Sequence, residues 1–458
     1  VPTQTGTDTG TPEATGDTES TGDTASSTAD TATSGVLLSA SCALTPDNAL
    51  RAWCDVTVAP PSGVQITFTP VGGGESRTVV SEAVEGSHRV GMYFLSAQTD
   101  YDTTVELLDG TASADAGLVT TGALPDPAVL TYTLTGTSTA DWLLHASPCQ
   151  NQGTLVVSDP AGEVVWYHQL DPVQVISMRP TPEGNILVEE DGDIVEIDWM
   201  GVEHSRIPES THGLALHHDL FRSDDGYTYA IFSELQVFKG HPYNVDGVAV
   251  FDASGTRVAT FRVADHFPPQ RPDALHGIDV HHSNGLFVDD GVALLSVRHL
   301  SMVVAFVADP TAPDFGEVLW ALEGNDAARA WRDDFTITSS DGGWANFKQQ
   351  HHPVLHPDGT LTLFDNRVLS GQNSRALEID LDPVAGTADI RHAYDLPMHC
   401  YFQGGFYYTD GGNALATCSP RGEAFEFAPG TDNIVYSLDA RCTLDPTGTV
   451  PRYMPVQP

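Results

Sequence analysis

Three histidine doublets hold the side chains best suited to chemistry in this sequence: "HHD" (217–219), "HHSN" (281–284) and "QHH" (350–352). Each precedes a turn glycine by a near-constant interval. His218 lies eight residues before Gly226, His282 nine before Gly291, and His351 eight before Gly359. Imidazoles serve as nucleophiles, as general acid–base groups or as metal ligands. A fourth residue joins them, Arg298 in "ALLSVRHLS", flanked by Ser296 and His299. The chain carries only 20 Lys and Arg against 62 Asp and Glu, so an arginine next to histidines stands out. Its planar fork of donors matches the oxygens of a sulfate or phosphate. Three histidines also match a zinc shell, with Asp219 as a further ligand. Arg298 argues against that, because a fixed cation opposes a bound dication.

A repeat must position these residues. A turn followed by an apolar strand recurs six times: "DPAGEVVWYHQL", "DWMGVEHSRI", "DASGTRVATF", "DFGEVLWAL", "DPVAGTADIRHAY" and "GTDNIVYSL". Between these lie five hairpins with a turn glycine: "PEGNILVEE", "DDGYTYAIF", "DDGVALLSV", "PDGTLTLFD" and "DGGNALATC". The pattern predicts an all-β chain whose larger part is a six-bladed β-propeller, its sixth blade completed by strands near the two ends. Two packed sandwiches would explain the strand number but not the repeat. In a propeller the innermost strands line a channel, so the repeat predicts three histidines converging on one mouth. The repeats containing "VISMRP" and "YFQGGF" lack the histidine.

The rest of the chain divides into two parts. Residues 1–35 are Thr, Ser, Gly and Asp-rich with no aromatic side chain, and are expected to form a disordered tether. The segment looks like the stalk of a bacterial surface lipoprotein. Residues 36–125 alternate with the period of strands and predict a small β-sandwich. There "LSAQTDYDTTVEL" around Tyr101 resembles the tyrosine corner of fibronectin type III domains. Residues 126–458 then form the propeller, which is expected to be the catalytic domain.

The net charge of −42 argues against nucleic acid and anionic membrane as partners. Contact with a membrane is expected only through an N-terminal tether. Six cysteines occur without a CxxC motif, so neither a zinc knuckle nor a redox dithiol is suggested. Cys42 with Cys54 and Cys400 with Cys418 flank hairpins, which leaves Cys149 with Cys442. Paired cysteines point to an exported protein, whether periplasmic, cell-surface or secreted; six buried thiols are the alternative.

The stretches "QHHPVLHPDGTLTLFDN" with "SRALEIDLD", and "HSNGLFVDDGVALLSVRHLS" with "GEVLWALEG", resemble core blades of bacterial arylsulfate sulfotransferases. Motifs of the form Q-H-D…P-N-G-N…F-D-N and H-x-N…S-S-R-H typify that family. The resemblance spans roughly residues 135–450. It implies a six-bladed propeller that moves a sulfuryl group from a phenolic sulfate ester to a phenolic acceptor. The family needs no nucleotide donor and no cofactor, and works through a covalent sulfohistidine. His351 then matches the nucleophile, His282 and Arg298 the sulfuryl clamp, and His218 the remaining active-site histidine. Asn284, which matches the Asn of H-x-N, is expected to bind the substrate together with His217 and His352. Trp344, Phe347 and Tyr227 are candidates to stack on the aryl ring, and equally candidates for packing. The sequence departs from the family at His352, where Asp is common, in a slightly short segment between His282 and Arg298, and at "ALEG", where the family has Gly-Gly. Two other readings remain at this point: a non-catalytic propeller that binds sulfated or phenolic ligands, and a metal-dependent hydrolase using the three histidines.

Overall fold

The computed structural model describes residues 36–82, 86–140, 142–147, 149, 153–170, 177–269, 277–324, 332, 334–368, 370–442 and 453–456. The tether expected over 1–35 lies outside the described residues.

Seven strands between Val36 and Thr120 form two antiparallel sheets. Val36–Leu44, Ala52–Ala59 and Ser87–Met92 make one; Arg77–Ser81, Val64–Pro70, Asp100–Leu107 and Ser113–Thr120 make the other. Alternation decides their facing. In Asp100–Leu107 every second residue is buried, and Tyr101, Val105 and Leu107 meet Ile66, Phe68 and Val56 between the sheets. The Tyr101 hydroxyl accepts the Ser96 N–H at 2.9 Å, the type of bond a tyrosine corner makes.

Six further sheets of four or five strands follow in chain order, each an antiparallel meander apart from added edge strands. All six turns and all five hairpins read from the sequence fall between paired strands as expected. The hairpin glycines Gly226, Gly291 and Gly359 sit at φ of 85°, 71° and 87°, a conformation that only glycine adopts without strain. Strands near the two ends complete the series. Tyr453–Val456 pairs with Trp142–Ser147 in the first of these sheets, and Leu130–Gly136 pairs with Ile434–Cys442 in the last. The Cys149–Cys442 disulfide staples this junction, with Cα atoms 5.4 Å apart. Cys42–Cys54 and Cys400–Cys418 are also bonded, so the three pairings match the sequence expectation.

The sheets pack face to face through apolar side chains. Val248, Val250, Leu295, Met302, Val304 and Phe306 are fully buried between two of them. Each such side chain contributes about 1.5–3 kcal/mol relative to exposure. The inner strands Met178–Pro180, Ala215–Arg222, Ser283–Asp289, His351–Leu355, Gly405–Tyr408 and Tyr453–Val456 lie against one another in that order. This serial contact carries the histidine doublets onto neighbouring strands.

Candidate active site

The doublets stand where inner strands begin, and their backbone is unusual. His218, His282 and His352 have φ of 67°, 50° and 51°. Few non-glycine residues occupy this left-handed region, histidine being among those that enter it most readily, and residues held there concentrate at functional sites. Each lies in or beside a register shift, between Leu216 and Leu220, Ser283 and Gly285, and His351 and Val354. A bulge re-aims side chains at a strand end. It also changes the residue count: counting back from the glycine equates His351 with His218 and His282, whereas the backbone conformation equates His352 with them. The bulges differ in length, so the count slips by one.

Four histidines form a continuous cluster. The Nδ1 atoms of His217 and His218 are 2.7 Å apart, so one ring donates to the other. His217 Nε2 stands 3.5 Å from buried Asp246. Burial acts to raise the Asp246 carboxyl, but His217 and the Ser283 N–H outweigh it and hold it below the usual range. The His218 ring meets His282 edge-on with centroids 4.7 Å apart, and His282 stacks on His299 at 4.5 Å. His282 Nδ1 lies 2.6 Å from Asp279 Oδ2. His299 Nδ1 lies 2.8 Å from the Asp279 carbonyl, and its Nε2 lies 2.8 Å from Arg298 NH1. A guanidinium only donates and a carbonyl only accepts. His299 is therefore neutral, with its proton on Nδ1.

Among the described residues Arg298 hydrogen-bonds to neutral partners only. Its NH2 donates to the Tyr401 carbonyl at 3.3 Å. Its Nε is buried without a partner, and it pairs with no carboxylate among the described residues. Burial lowers its pKa from 12.5 to about 10 against the opposing charge of Asp279, so it stays cationic at neutral pH. In a chain with a net charge of −42, a partly desolvated guanidinium with no direct carboxylate partner among the described residues has donor chemistry suited to an anion.

His351 is reached from Arg298 through one loop. Gln403 donates its N–H to His351 Nε2 at 3.0 Å, while His351 Nδ1 stands 2.6 Å from Asn366 Oδ1. The Asn366 amide in turn donates to the carbonyls of Cys400 and Gln403 at 2.9 and 2.8 Å. The segment Cys400–Gln403 thus contacts Arg298 through Tyr401 and His351 through Gln403, and Cys418 anchors it by a disulfide. His352 Nδ1 accepts the Phe406 N–H at 3.4 Å, and its ring packs on Tyr407 at 4.4 Å. Asn284 is fully buried and donates to the Gln350 carbonyl at 2.9 Å, beside Ser296 at 3.1 Å from the same oxygen. It braces the residue preceding His351.

The aromatic expectations divide. Phe347 is 1 % exposed within an apolar cluster, and Tyr227 packs against another next to its turn, so both serve packing. Trp344 is 40 % exposed and has the guanidinium groups of Arg367 and Arg375 over its ring at 5.8 and 5.6 Å. Asp279, Asn366, Asp246 and the backbone of Gln403 contact these side chains although the sequence reading did not single them out, and it noted His299 only as a neighbour of Arg298. Asn366 stands inside the "FDN" of the quoted motif, a visible signal; Asp279 stands three residues before His282, a spacing with no motif attached.

Asp279, His282 and His299 also bring three possible metal donors within 4.8 Å. Both ring nitrogens of His299 are already engaged, Nδ1 by the Asp279 carbonyl and Nε2 by the Arg298 guanidinium. The hydrogen bonds already described account for the arrangement. Asp219, the fourth ligand considered from sequence, is turned away: it accepts the Leu286 N–H at 2.9 Å and pairs with Arg179 at 3.3 Å.

The family model described as Arylsulfotransferase (ASST) matches residues 91–387. No curated protein matches the chain significantly. Among solved structures, a protein of unknown function from Bacteroides caccae is 12% identical, with 61% of this chain and 83% of that one covered at a TM-score of 0.39. A virginiamycin B lyase from Staphylococcus aureus is 9% identical, covering 67% and 87% at 0.37. The Dos1 propeller is 9% identical, covering 77% and 94% at 0.35. Likeness at this level carries no argument about the site.

Proposed function

Because this chain belongs to the arylsulfotransferase (ASST) family, we propose that it transfers a sulfuryl group between phenols through a sulfohistidine at His351. The six serial sheets are read as the blades of its catalytic propeller, with residues 126–458 as the catalytic domain and 36–125 as an accessory sandwich. The observation that carries the reading is Arg298, half-buried with its Nε fully covered, cationic and unpaired with any carboxylate among the described residues, on a loop contact shared with His351.

The roles follow from donor chemistry. Asn366 accepts the Nδ1–H of His351, which leaves Nε2 with the lone pair. That lone pair attacks sulfur, the N–S bond forms, and the S–O bond breaks with its electrons on the departing phenolate. Arg298 and His282 face the sulfuryl oxygens, whose charge they meet in the transition state. His218 protonates the phenolate and then takes the proton of the acceptor phenol. The acceptor oxygen attacks sulfur, the N–S bond breaks, and His351 recovers its lone pair. His217, His352 and Asn284 support the substrate pocket and the strand beneath it.

The Gln403 N–H on Nε2 is the one observation that favours a non-catalytic binding protein, because the nucleophile must first shed this bond. A direct test separates the two readings. Purified protein is incubated with a chromogenic aryl sulfate, with and without a phenol. Phenol-dependent release of the chromophore, lost in His351→Ala, supports transfer. Thermal stabilisation by the aryl sulfate without turnover supports binding alone.

A further inference from the structure

Within that reading, we propose that Asp279 is a positioning residue for both halves of the sulfuryl clamp. It acts on His282 through its carboxylate and on Arg298 through its backbone carbonyl and His299.

Each link is a hydrogen bond with a defined direction. Asp279 Oδ2 is 2.6 Å from His282 Nδ1. A carboxylate at that distance selects the Nδ1–H form and turns Nε2 toward the other end of the ring. Charge assistance makes this one of the stronger bonds of the site. The Asp279 carbonyl accepts the His299 Nδ1–H at 2.8 Å, leaving His299 Nε2 to accept from Arg298 NH1 at 2.8 Å. A second tie fixes the segment: the His299 N–H donates to the His281 carbonyl at 2.9 Å. Asn244 forms a parallel bridge with Asp279 from the adjoining long hairpin, and the Asn244 N–H donates to the Ile278 carbonyl at 2.9 Å. Asp279 is therefore held from outside the site and passes its position to two groups inside it.

A positioning role and a bare field effect predict opposite results. An anionic carboxylate near an anionic substrate repels it, so removing the charge alone lowers KM and raises kcat/KM. Removing a positioning residue instead lets His282 rotate or change tautomer, and kcat falls. Loss of a residue that orients a functional histidine typically lowers activity about 10- to 100-fold.

The test uses the full chain as Asp279→Asn and Asp279→Ala, with Asp279→Glu as the conservative variant. Histidine ring nitrogens are followed by long-range nitrogen–proton NMR, with His282 assigned by comparison with His282→Gln. Turnover of a chromogenic aryl sulfate is measured alongside. The expected result is an Nδ1-protonated His282 in the natural chain and a mixed or Nε2-protonated ring in Asp279→Ala. Asp279→Asn, which keeps an acceptor oxygen but no charge, should lose about 10-fold or more in kcat without a rise in KM. Asp279→Glu should recover part of kcat. An unchanged His282 tautomer in Asp279→Ala, or a higher kcat/KM in Asp279→Asn, overturns the proposal. The NMR result stands whether or not the natural chain turns over aryl sulfate; absence of turnover there refutes the transferase reading instead.

Discussion

Replacing Arg298 by Met separates what the arginine does for catalysis from what it does for folding. Burial brings its pKa from 12.5 to about 10. At about 1.4 kcal/mol per unit, holding the charge there disfavours the folded state by about 3 kcal/mol. The sign is fixed: below the folded pKa the guanidinium is charged in both states, and the unfolded chain hydrates it better. Met removes that penalty but strips donors from His299 Nε2 and the Tyr401 carbonyl. Each lost bond is worth about 1 kcal/mol. The net expectation is a variant about 1 kcal/mol more stable, or unchanged within that margin. Activity moves the other way. Loss of a donor aimed at developing charge removes about 3–4 kcal/mol of transition-state stabilisation, a fall of about 10²- to 10³-fold in kcat. Arg298→Lys keeps a charge but not the fork and should fall between the two. Urea unfolding and initial rates on a chromogenic aryl sulfate give both numbers from the same preparations. A variant that loses more than about 2 kcal/mol of stability, or keeps its rate within about ten-fold, refutes the reasoning.

Three further outcomes follow from other parts of the molecule. His145 is fully buried, and burial lowers its pKa from 6.5 to about 4. Its contribution is therefore fully present above pH 6.5 and falls by up to about 1.4 kcal/mol per unit as pH drops toward 4. His145→Gln should flatten the dependence of unfolding free energy on pH in that window. At Gly285 a Cβ would come within 2.8 Å of the His352 backbone nitrogen. Gly285→Ala should therefore cost about 1–3 kcal/mol in urea unfolding and lower kcat by displacing the neighbouring inner strand. Replacing Cys400 and Cys418 by Ser frees the loop that touches both Arg298 and His351. The double variant should lose about 2–4 kcal/mol of stability, and its kcat should fall even at temperatures where circular dichroism shows it folded.

The repeat was legible because its punctuation is chemical. Left-handed turn glycines such as Gly226 and Gly359 and the Asp-containing outer turns mark strand ends by residue type. The disulfides were legible because Cys42 faces Cys54 directly across a hairpin, while Cys149 and Cys442 lie at the two ends of the series. The histidine doublets and Arg298 could be picked out by residue type, but their register could not. A bulge length is set by how an inner strand meets its neighbours, and no residue type announces that His352 adopts φ of 51°. Asp279 was passed over because one acidic residue among 62 Asp and Glu signals nothing until its oxygen is placed 2.6 Å from His282. Phe347 stayed open between stacking and packing for the reverse reason: an aromatic near a motif serves either role equally well, and here it is core.

The central claim is that sulfur becomes bonded to His351. The most direct measurement is peptide mapping by mass spectrometry after rapid mixing with aryl sulfate in the absence of acceptor, at alkaline quench to preserve the N–S bond. The account predicts one sulfuryl group on the peptide containing "QQHHPVLHPDG", fragmenting to His351, discharged by added phenol and absent from His351→Asn. Continued turnover with the sulfuryl group on His352 or His218, or with no modified histidine at all, would contradict it.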